Sequence, residues 1–355
     1  MGGLLQMSAP TAAERGAASL RRERSDGNAS PPLLAVTDLR VGLRTPRGPA
    51  DALRGISFSI DRGETVGLVG ESGCGKSMTA LALMGLLPDG ARVAGSIRFD
   101  GRELVGLPDD AMCALRGDRL GMVFQEPMTA LNPLHTVGRQ IAESLRLHKR
   151  MDAAAARAEA LRLLERVQLP DARARLDAYP HQLSGGQRQR VGIAIALACG
   201  PDLLIADEPT TALDVTVQRE VLELIGELVR EDRMALLLIS HDLGVIAGNV
   251  ARMLVMYGGT VVESGPTAEV FAHRAHPYTR GLFAARPRLD GPRGQRLATI
   301  PGRVPELADL PAGCPFADRC AIAADACRAA PPPAVAVGPG HDARCIRLDA
   351  ARELA

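Results

Sequence analysis

Along this chain the period of apolar and polar positions changes several times, and the changes mark out its elements. Leu33–Val41 and Leu53–Ile60 alternate as strands do, and Glu64–Val69 reads as a buried strand. A glycine-rich loop leads from there into a helical stretch, Ser77–Leu87. Ser96–Phe99 is a short strand closed by the Asp100–Gly101 turn, and Leu120–Gln125 is another strand. From 126 to 186 the pattern turns helical, with Leu161, Leu164 and Val167 recurring on one face. Alternation then resumes: strand Asp202–Ala206, helix Val215–Arg230, strand Ala235–Ile239 and short helix Asp242–Gly248. A hairpin of Arg252–Met256 and Thr260–Glu263 closes around Gly258–Gly259. Such order predicts an α/β core with a largely parallel sheet, into which the stretch 126–186 is a helical insertion.

The two ends of the chain differ in texture. Residues 1–32 are rich in Ala, Ser, Gly and Arg, with scattered charge and no compact apolar run. They read as a disordered tail rather than a secretory signal, with Met7 as an alternative start. Beyond about Arg286 lie ten of the 25 prolines and four of the seven cysteines. That texture excludes a conventional helix or sheet core, so some other device is expected to hold the segment together.

Composition narrows the classes further. A length of 355 residues suggests one large domain or two unequal ones. A net charge of +1 gives no field aimed at nucleic acid or an anionic membrane. No run of about 18 apolar residues is present to span a bilayer. Of the 42 basic residues only Lys76 and Lys149 are lysine. A chain so biased towards arginine keeps lysine where a compact ammonium is needed, and Lys76 is such a place; Lys149 is incidental.

Lys76 falls in GESGCGKS, residues Gly70, Glu71, Ser72, Gly73, Cys74, Gly75, Lys76 and Ser77, followed by Met78. This fits the phosphate-binding pattern G-x-x-x-x-G-K-[ST], with a strand before and a helix after. Glycines let successive N–H groups turn towards phosphate oxygens, and the helix adds its positive end. Lys76 should reach the β- and γ-phosphates of ATP, and the Ser77 hydroxyl should ligate Mg²⁺. A second acidic site, LLIADE, ends a buried strand with Asp207 and Glu208. Asp207 would hold Mg²⁺ through its water shell, and Glu208 would accept a proton from the attacking water.

Leu183–Gln187 reads LSGGQ, just ahead of that strand. With it the chain resembles the ATP-binding subunits of ABC transporters. Ser184, Gly185, Gly186 and Gln187 open a helix and make a second anion site. Two anion sites with one nucleotide imply a head-to-tail dimer in which one subunit's loop and the other's signature sandwich ATP. By the same resemblance Gln125, in VFQEP, senses Mg²⁺ and contacts the membrane subunits. Asp214, in TALD, belongs to the dimer-facing loop, and His241, in LLLISHD, contacts the γ-phosphate. The implied fold is α/β: a RecA-like P-loop core, an antiparallel β subdomain and a helical insertion. The implied boundaries are a tail at 1–32, the ATP-binding domain at 33–285 with its helical part at about 126–186, and an extension at 286–355. One element departs from the family pattern. No aromatic residue stands between Leu33 and Ser57 to stack on adenine; Leu43 occupies about the expected place, and Arg47 is a candidate substitute.

Three classes of function compete: an importer motor, a soluble ABC ATPase acting on DNA or ribosomes, and a regulatory module without turnover. The interval between Ser77 and Leu183 has no long heptads, a single P-loop is found, and Glu208 is present, so the motor leads. Glu269–Pro287, with its HPYT step, and Ile300–Cys320, with its GCPF step, are similar to the oligopeptide and dipeptide permease ATPases; GESGCGKS and NPLHTVGRQI suit the same subfamily. The resemblance implies import of di- or oligopeptides, with nickel or another small solute as the alternative cargo. It also implies two transmembrane permease subunits, an extracytoplasmic substrate-binding protein and a peripheral place on the cytoplasmic face of the inner membrane, with no nucleic-acid partner. Cys314, Cys320, Cys327 and Cys345 follow C-x5-C-x6-C-x17-C, without the close pairs usual for zinc. Disulfides do not suit a protein that meets cytosolic ATP. Four cysteines suit a [4Fe–4S] cluster, which the subfamily carries in this extension; Zn²⁺ and free thiols remain open. Cys74, Cys113 and Cys199 read as structural or incidental, with Cys74 open to alkylation. A cluster so far in sequence from Lys76, Asp207 and Glu208 is expected to be structural, its loss harming folding or docking before ATP chemistry.

Overall fold

The computed structural model describes residues 31–126, 130–211, 213–286 and 299–353. Of the expected 1–32 tail, all but Pro31 and Pro32 lies outside the described residues. Two strands, β1 (Leu34–Thr45) and β2 (Gly48–Ile60), form a long antiparallel hairpin. The buried strand β3 (Thr65–Val69) leads through the glycine-rich loop into α1 (Lys76–Met84). The helix stops short of the expected Leu87. Gly85 takes a left-handed conformation at φ 62°, and its N–H and that of Leu86 turn back to Ala82 and Leu81. Next come β4 (Arg92–Phe99) and β5 (Arg102–Glu103), which complete a four-stranded antiparallel sheet in the order β2-β1-β4-β5.

After β6 (Leu120–Val123) the chain enters a helical region: α2 (Val137–His148), α3 (Ala153–Arg166) and α4 (Gly185–Leu197). Leu163, Leu164 and Val167 are buried there, while Leu161 is half-buried at the margin of the core. Alternation returns with β7 (Leu203–Asp207), α5 (Val215–Asp232), β8 (Ala235–Ser240), α6 (Leu243–Asn249), β9 (Arg252–Tyr257) and β10 (Thr260–Pro266). Two helices, α7 (Thr267–Ala272) and α8 (Pro277–Ala284), follow.

The second sheet has eight strands in the order β11-β12-β10-β9-β3-β8-β7-β6, where β11 is Val335–Gly338 and β12 is His341–Ala343. From β9 to β6 it is parallel. Its strands are covered on both faces, so they carry near-continuous apolar runs rather than alternation. Leu203, Ile205, Leu237 and Ile239 pack towards the antiparallel sheet and α1; Leu204, Ala206, Leu236 and Leu238 pack towards α3, α4 and α5.

Here the structure corrects the sequence reading of the Pro-rich segment. Beyond 286 the chain does join a sheet, since β12 pairs antiparallel with β10 and extends the central sheet by two strands. The device that fixes it is a buried carboxylate. Glu263 on β10 accepts from the Ala275 N–H at 2.7 Å and the His276 N–H at 2.8 Å, and meets Nε2 of His341 on β12 at 2.8 Å. Fully partnered, the group ties three stretches of chain together where a lone buried charge would be costly.

Candidate active site

The parallel order puts the ends of β3, β7 and β8 side by side, the edge at which open α/β sheets bind ligands. The loop after β3 needs glycine at two positions for steric reasons. A Cβ on Gly70 would lie 2.3 Å from the Met256 carbonyl oxygen, and Gly75 sits at φ 105° against Leu53 and Ala52. The loop wraps around Lys76, which is buried and donates to the Gly70 carbonyl at 2.9 Å and the Glu71 carbonyl at 3.1 Å. Ser77 donates from Oγ to Asp207 Oδ1 at 3.1 Å, joining the end of β7 to the start of α1. Asp207 is buried, and that burial pushes its carboxyl up; Ser77 and Lys76 oppose the shift, while Glu208 adds to it. A divalent cation would return such a group to the charged form.

Glu208 is the hub of the site. Its Oε2 lies 3.3 Å from Gln125 Nε2, 3.1 Å from Thr211 Oγ1 and 3.1 Å from His241 Nδ1. Its Oε1 lies 3.7 Å from Lys76 Nζ. The backbone at Glu208 has φ 46°, a left-handed conformation uncommon for a residue with a side chain. Its N–H bonds to the Ile239 carbonyl at the end of β8. The strained turn is thus pinned between two strands, and its carboxylate enters the same cleft as Ser77.

Around these groups lies a cleft of about 730 Å³. Gly70, Glu71, Ser72, Gly73, Gly75, Lys76, Ser77, Met78, Gln125, Glu208 and His241 line it. Cys74 does not: it is buried behind the loop, and burial pushes its thiol up, so the expected alkylation sensitivity has no exposed thiolate to act on. Leu43 and Ala52 form one wall, and Leu282 of α8 and Leu307 of the extension add apolar surface. Arg47 is corrected as a substitute for an aromatic. Its guanidinium is held by Asp309 at 2.6 and 2.7 Å and by Glu306 at 3.2 Å, and it does not line the cleft.

Ser184, Gly185, Gly186, Gln187 and Asp214 also lie off this cleft. Ser184 caps α4 and accepts from the Gln187 N–H at 3.3 Å, while Gln187 Oε1 accepts from the Ser184 N–H at 3.0 Å. Asp214 caps α5, accepting from the Thr216 and Val217 N–H groups.

Helix α8 and the extension touch the site more closely than sequence distance suggested. Tyr278 accepts from the Glu71 N–H at 2.8 Å, and Arg319 forms a two-point pair with the Glu71 carboxylate. Tyr278, Arg319, Leu282, Leu307 and Thr211 were all missed as site residues. The sequence marks only the segments that hold them: HPYT for Tyr278, TALD for Thr211, Glu269–Pro287 for Leu282, and Ile300–Cys320 for Leu307 and Arg319.

Cys314, Cys320, Cys327 and Cys345 line one small apolar cavity together with Phe316, Ala317 and Ile322. Burial pushes the Cys314 thiol up to about 11, and the neighbouring cysteines add to the effect. Among the described residues no group of three or more His, Cys, Asp or Glu side chains is placed to hold a metal ion. A zinc ion at about 2.3 Å from each sulfur needs the four sulfurs within about 3.8 Å of one another. Four cysteines on one cavity are a donor inventory that a four-iron cluster or a zinc ion could take, and the lining alone does not choose between them.

The comparisons follow the same outline. The sequence matches the family model described as ABC transporter over residues 53–211. It matches that described as oligopeptide/dipeptide transporter, C-terminal region, over residues 262–327. It is 51% identical over 315 residues to the oligopeptide transport ATP-binding protein OppD of Salmonella typhimurium, covering 89% of this chain and 93% of that relative. OppD of Escherichia coli is 52% identical over 300 residues, 84% of this chain and 89% of its own. Among solved structures, the dimeric ATP-binding cassette MJ0796 in a post-hydrolysis state bound to ADP and Pi aligns with a TM-score of 0.60. It is 29% identical and covers 66% of this chain and 98% of its own.

Proposed function

This chain belongs to the ABC transporter family as an ATP-binding protein of the oligopeptide transport type, and from that premise we propose how its residues do the work. It has the ABC ATPase cassette fold and hydrolyses ATP to power peptide import. The observation that carries the mechanism is the convergence of Lys76, Gln125, Thr211 and His241 on Glu208 within one cleft. In it, the N–H groups of residues 70–78 cradle the phosphates and Lys76 supplies a compact charge to the β- and γ-oxygens. Ser77, Asp207 and Gln125 would hold Mg²⁺, which when bound offsets phosphate charge. Glu208 takes a proton from water as its oxygen attacks the γ-phosphorus and ADP leaves. Gln125 and His241 orient that carboxylate, and His241 contacts the γ-phosphate.

Ser184, Gly185, Gly186, Gln187 and Asp214 serve a partner's nucleotide, a reading supported by their lying outside the lining of the chain's own cleft. The working unit is then a head-to-tail pair of ATPase subunits bound to two permease subunits at the cytoplasmic face of the inner membrane. No helix among the described residues is long and apolar enough to cross a membrane itself. Residues 33–285 form the ATP-binding domain, with its helical part at about 126–186, and 286–355 form the extension. Cys314, Cys320, Cys327 and Cys345 would hold a [4Fe–4S] cluster, a reading supported by four cysteines lining one apolar cavity. Loss of the cluster would harm folding or docking first, and would reach ATP binding through Arg319, which is adjacent to Cys320 and bonds to the phosphate loop.

The test of the mechanism is Glu208→Gln in the assembled transporter: it should bind ATP, trap the closed dimer and lose turnover. Hydrolysis at the wild-type rate would remove Glu208 as the base. Anaerobic purification tests the cluster. Brown protein with matching iron and acid-labile sulfide supports it; colourless protein with zinc, or with neither metal, refutes it.

A further inference from the structure

We propose that Arg319 is a positioning residue for nucleotide binding, which neutralises the Glu71 carboxylate and fixes the phosphate loop from the extension. This rests on the reading of the cleft as the ATP site. Glu71 lies second in the loop and lines the cleft. A carboxylate there faces incoming phosphates of like charge, so its partner decides whether the loop attracts or repels them. That partner is Arg319, with Nη1 2.7 Å from Glu71 Oε2 and Nη2 3.1 Å from Oε1, the two-point fork that lysine cannot reproduce.

Arg319 is itself held. Its side chain is 5% exposed, against 29% for Glu71. Nε donates to the Pro301 carbonyl at 2.8 Å, Nη1 reaches the Tyr257 hydroxyl at 3.3 Å, and the guanidinium lies 5.7 Å from the Tyr257 ring centre. The Glu71 N–H is fixed independently by Tyr278. The Glu71 carbonyl accepts from Lys76, so the chain of contacts runs from the cysteine-bearing loop through Arg319 and Glu71 to the phosphate-binding ammonium. An ion pair serving stability alone would not need to sit on a loop that binds an anion.

The experiment measures Mg-ATP affinity by calorimetry on the full chain as wild type, Arg319→Met, Arg319→Lys, Glu71→Gln and the Arg319→Met/Glu71→Gln double variant, at low and high salt, with melting curves for each. Arg319→Met should weaken ATP binding about tenfold at low salt, the scale of one charge near a protein surface. The loss should shrink at high salt. Arg319→Lys should fall between wild type and Arg319→Met, because it keeps the charge but not the two-point fork. Adding Glu71→Gln to Arg319→Met should restore it, a recovery that a purely structural role would not give. Should Arg319→Met not fold, Arg319→Gln carries the same comparison, since it keeps a donor without charge. A double variant as weak as Arg319→Met, or a loss indifferent to salt, overturns the proposal. Wild-type protein that fails to bind ATP overturns the underlying reading of the cleft instead.

Discussion

Substituting His276 by asparagine should remove a large part of the acid sensitivity of this fold. His276 is fully buried and caps α8, its Nδ1 accepting from the Tyr278 N–H at 3.1 Å. Burial lowers its pKa from 6.5 to about 4; the nearby Glu263 charge and a backbone bond with Arg344 oppose the shift without cancelling it. The folded protein therefore keeps His276 neutral, while the unfolded chain protonates it below about 6.5. The stabilisation is fully present above that value and drains away as pH falls towards 4, where the folded form protonates as well. Over the whole window the loss is about 3 kcal/mol, of which about 2 kcal/mol is gone by pH 5. Asparagine retains a capping acceptor but does not titrate, so His276→Asn should cost a pH-independent amount from lost packing and no more. The chain has no tryptophan and three tyrosines, and two of these, Tyr257 and Tyr278, pack together with Phe316 beside His276. Tyrosine fluorescence in urea, between pH 7.5 and pH 5, thus reports this region. The stability gap between wild type and His276→Asn should narrow as pH falls. Parallel pH profiles would refute the argument.

Three further outcomes follow from single contacts. Lys76→Ala should weaken Mg-ATP binding at least tenfold by calorimetry, because it removes the buried ammonium facing the phosphates. Leu43→Phe should tighten ATP binding and sharpen its preference over other nucleoside triphosphates, since it puts a ring in the apolar wall of the cleft; competition titrations would read this. Tyr278→Phe leaves the Glu71 N–H without its partner and should lower stability by about 1–3 kcal/mol in denaturant titrations.

The ATP-site motifs were legible in the sequence because each is short and local. GESGCGKS, placed between an apolar run and a helical stretch, predicts a loop that ends a strand and opens a helix, since its glycine spacing and lysine act within a few residues. LLIADE likewise had to be a strand end that delivers two carboxylates. The segment boundaries were less legible: Gly85 ended α1 before Leu87, and β1 and β2 ran longer than alternation alone indicated, because their pairing carries them through residues of mixed polarity.

What no local pattern encoded was which distant segments meet. The Pro-rich extension looked unable to join a sheet, yet His341 finds the buried Glu263 carboxylate and places β12 on the edge of the central sheet. Arg47 looked free to meet a base, and two carboxylates from the extension occupy it. Arg319 and Glu71 stand 248 positions apart, so their pairing carries no periodicity or spacing to read. Sequence determined the loop and strand end assigned to phosphate, whose chemistry lies in contiguous backbone and adjacent side chains. Tertiary structure alone decided how the extension grips that loop, because ion pairs and buried carboxylates between remote segments exist only once the sheet has set their distance.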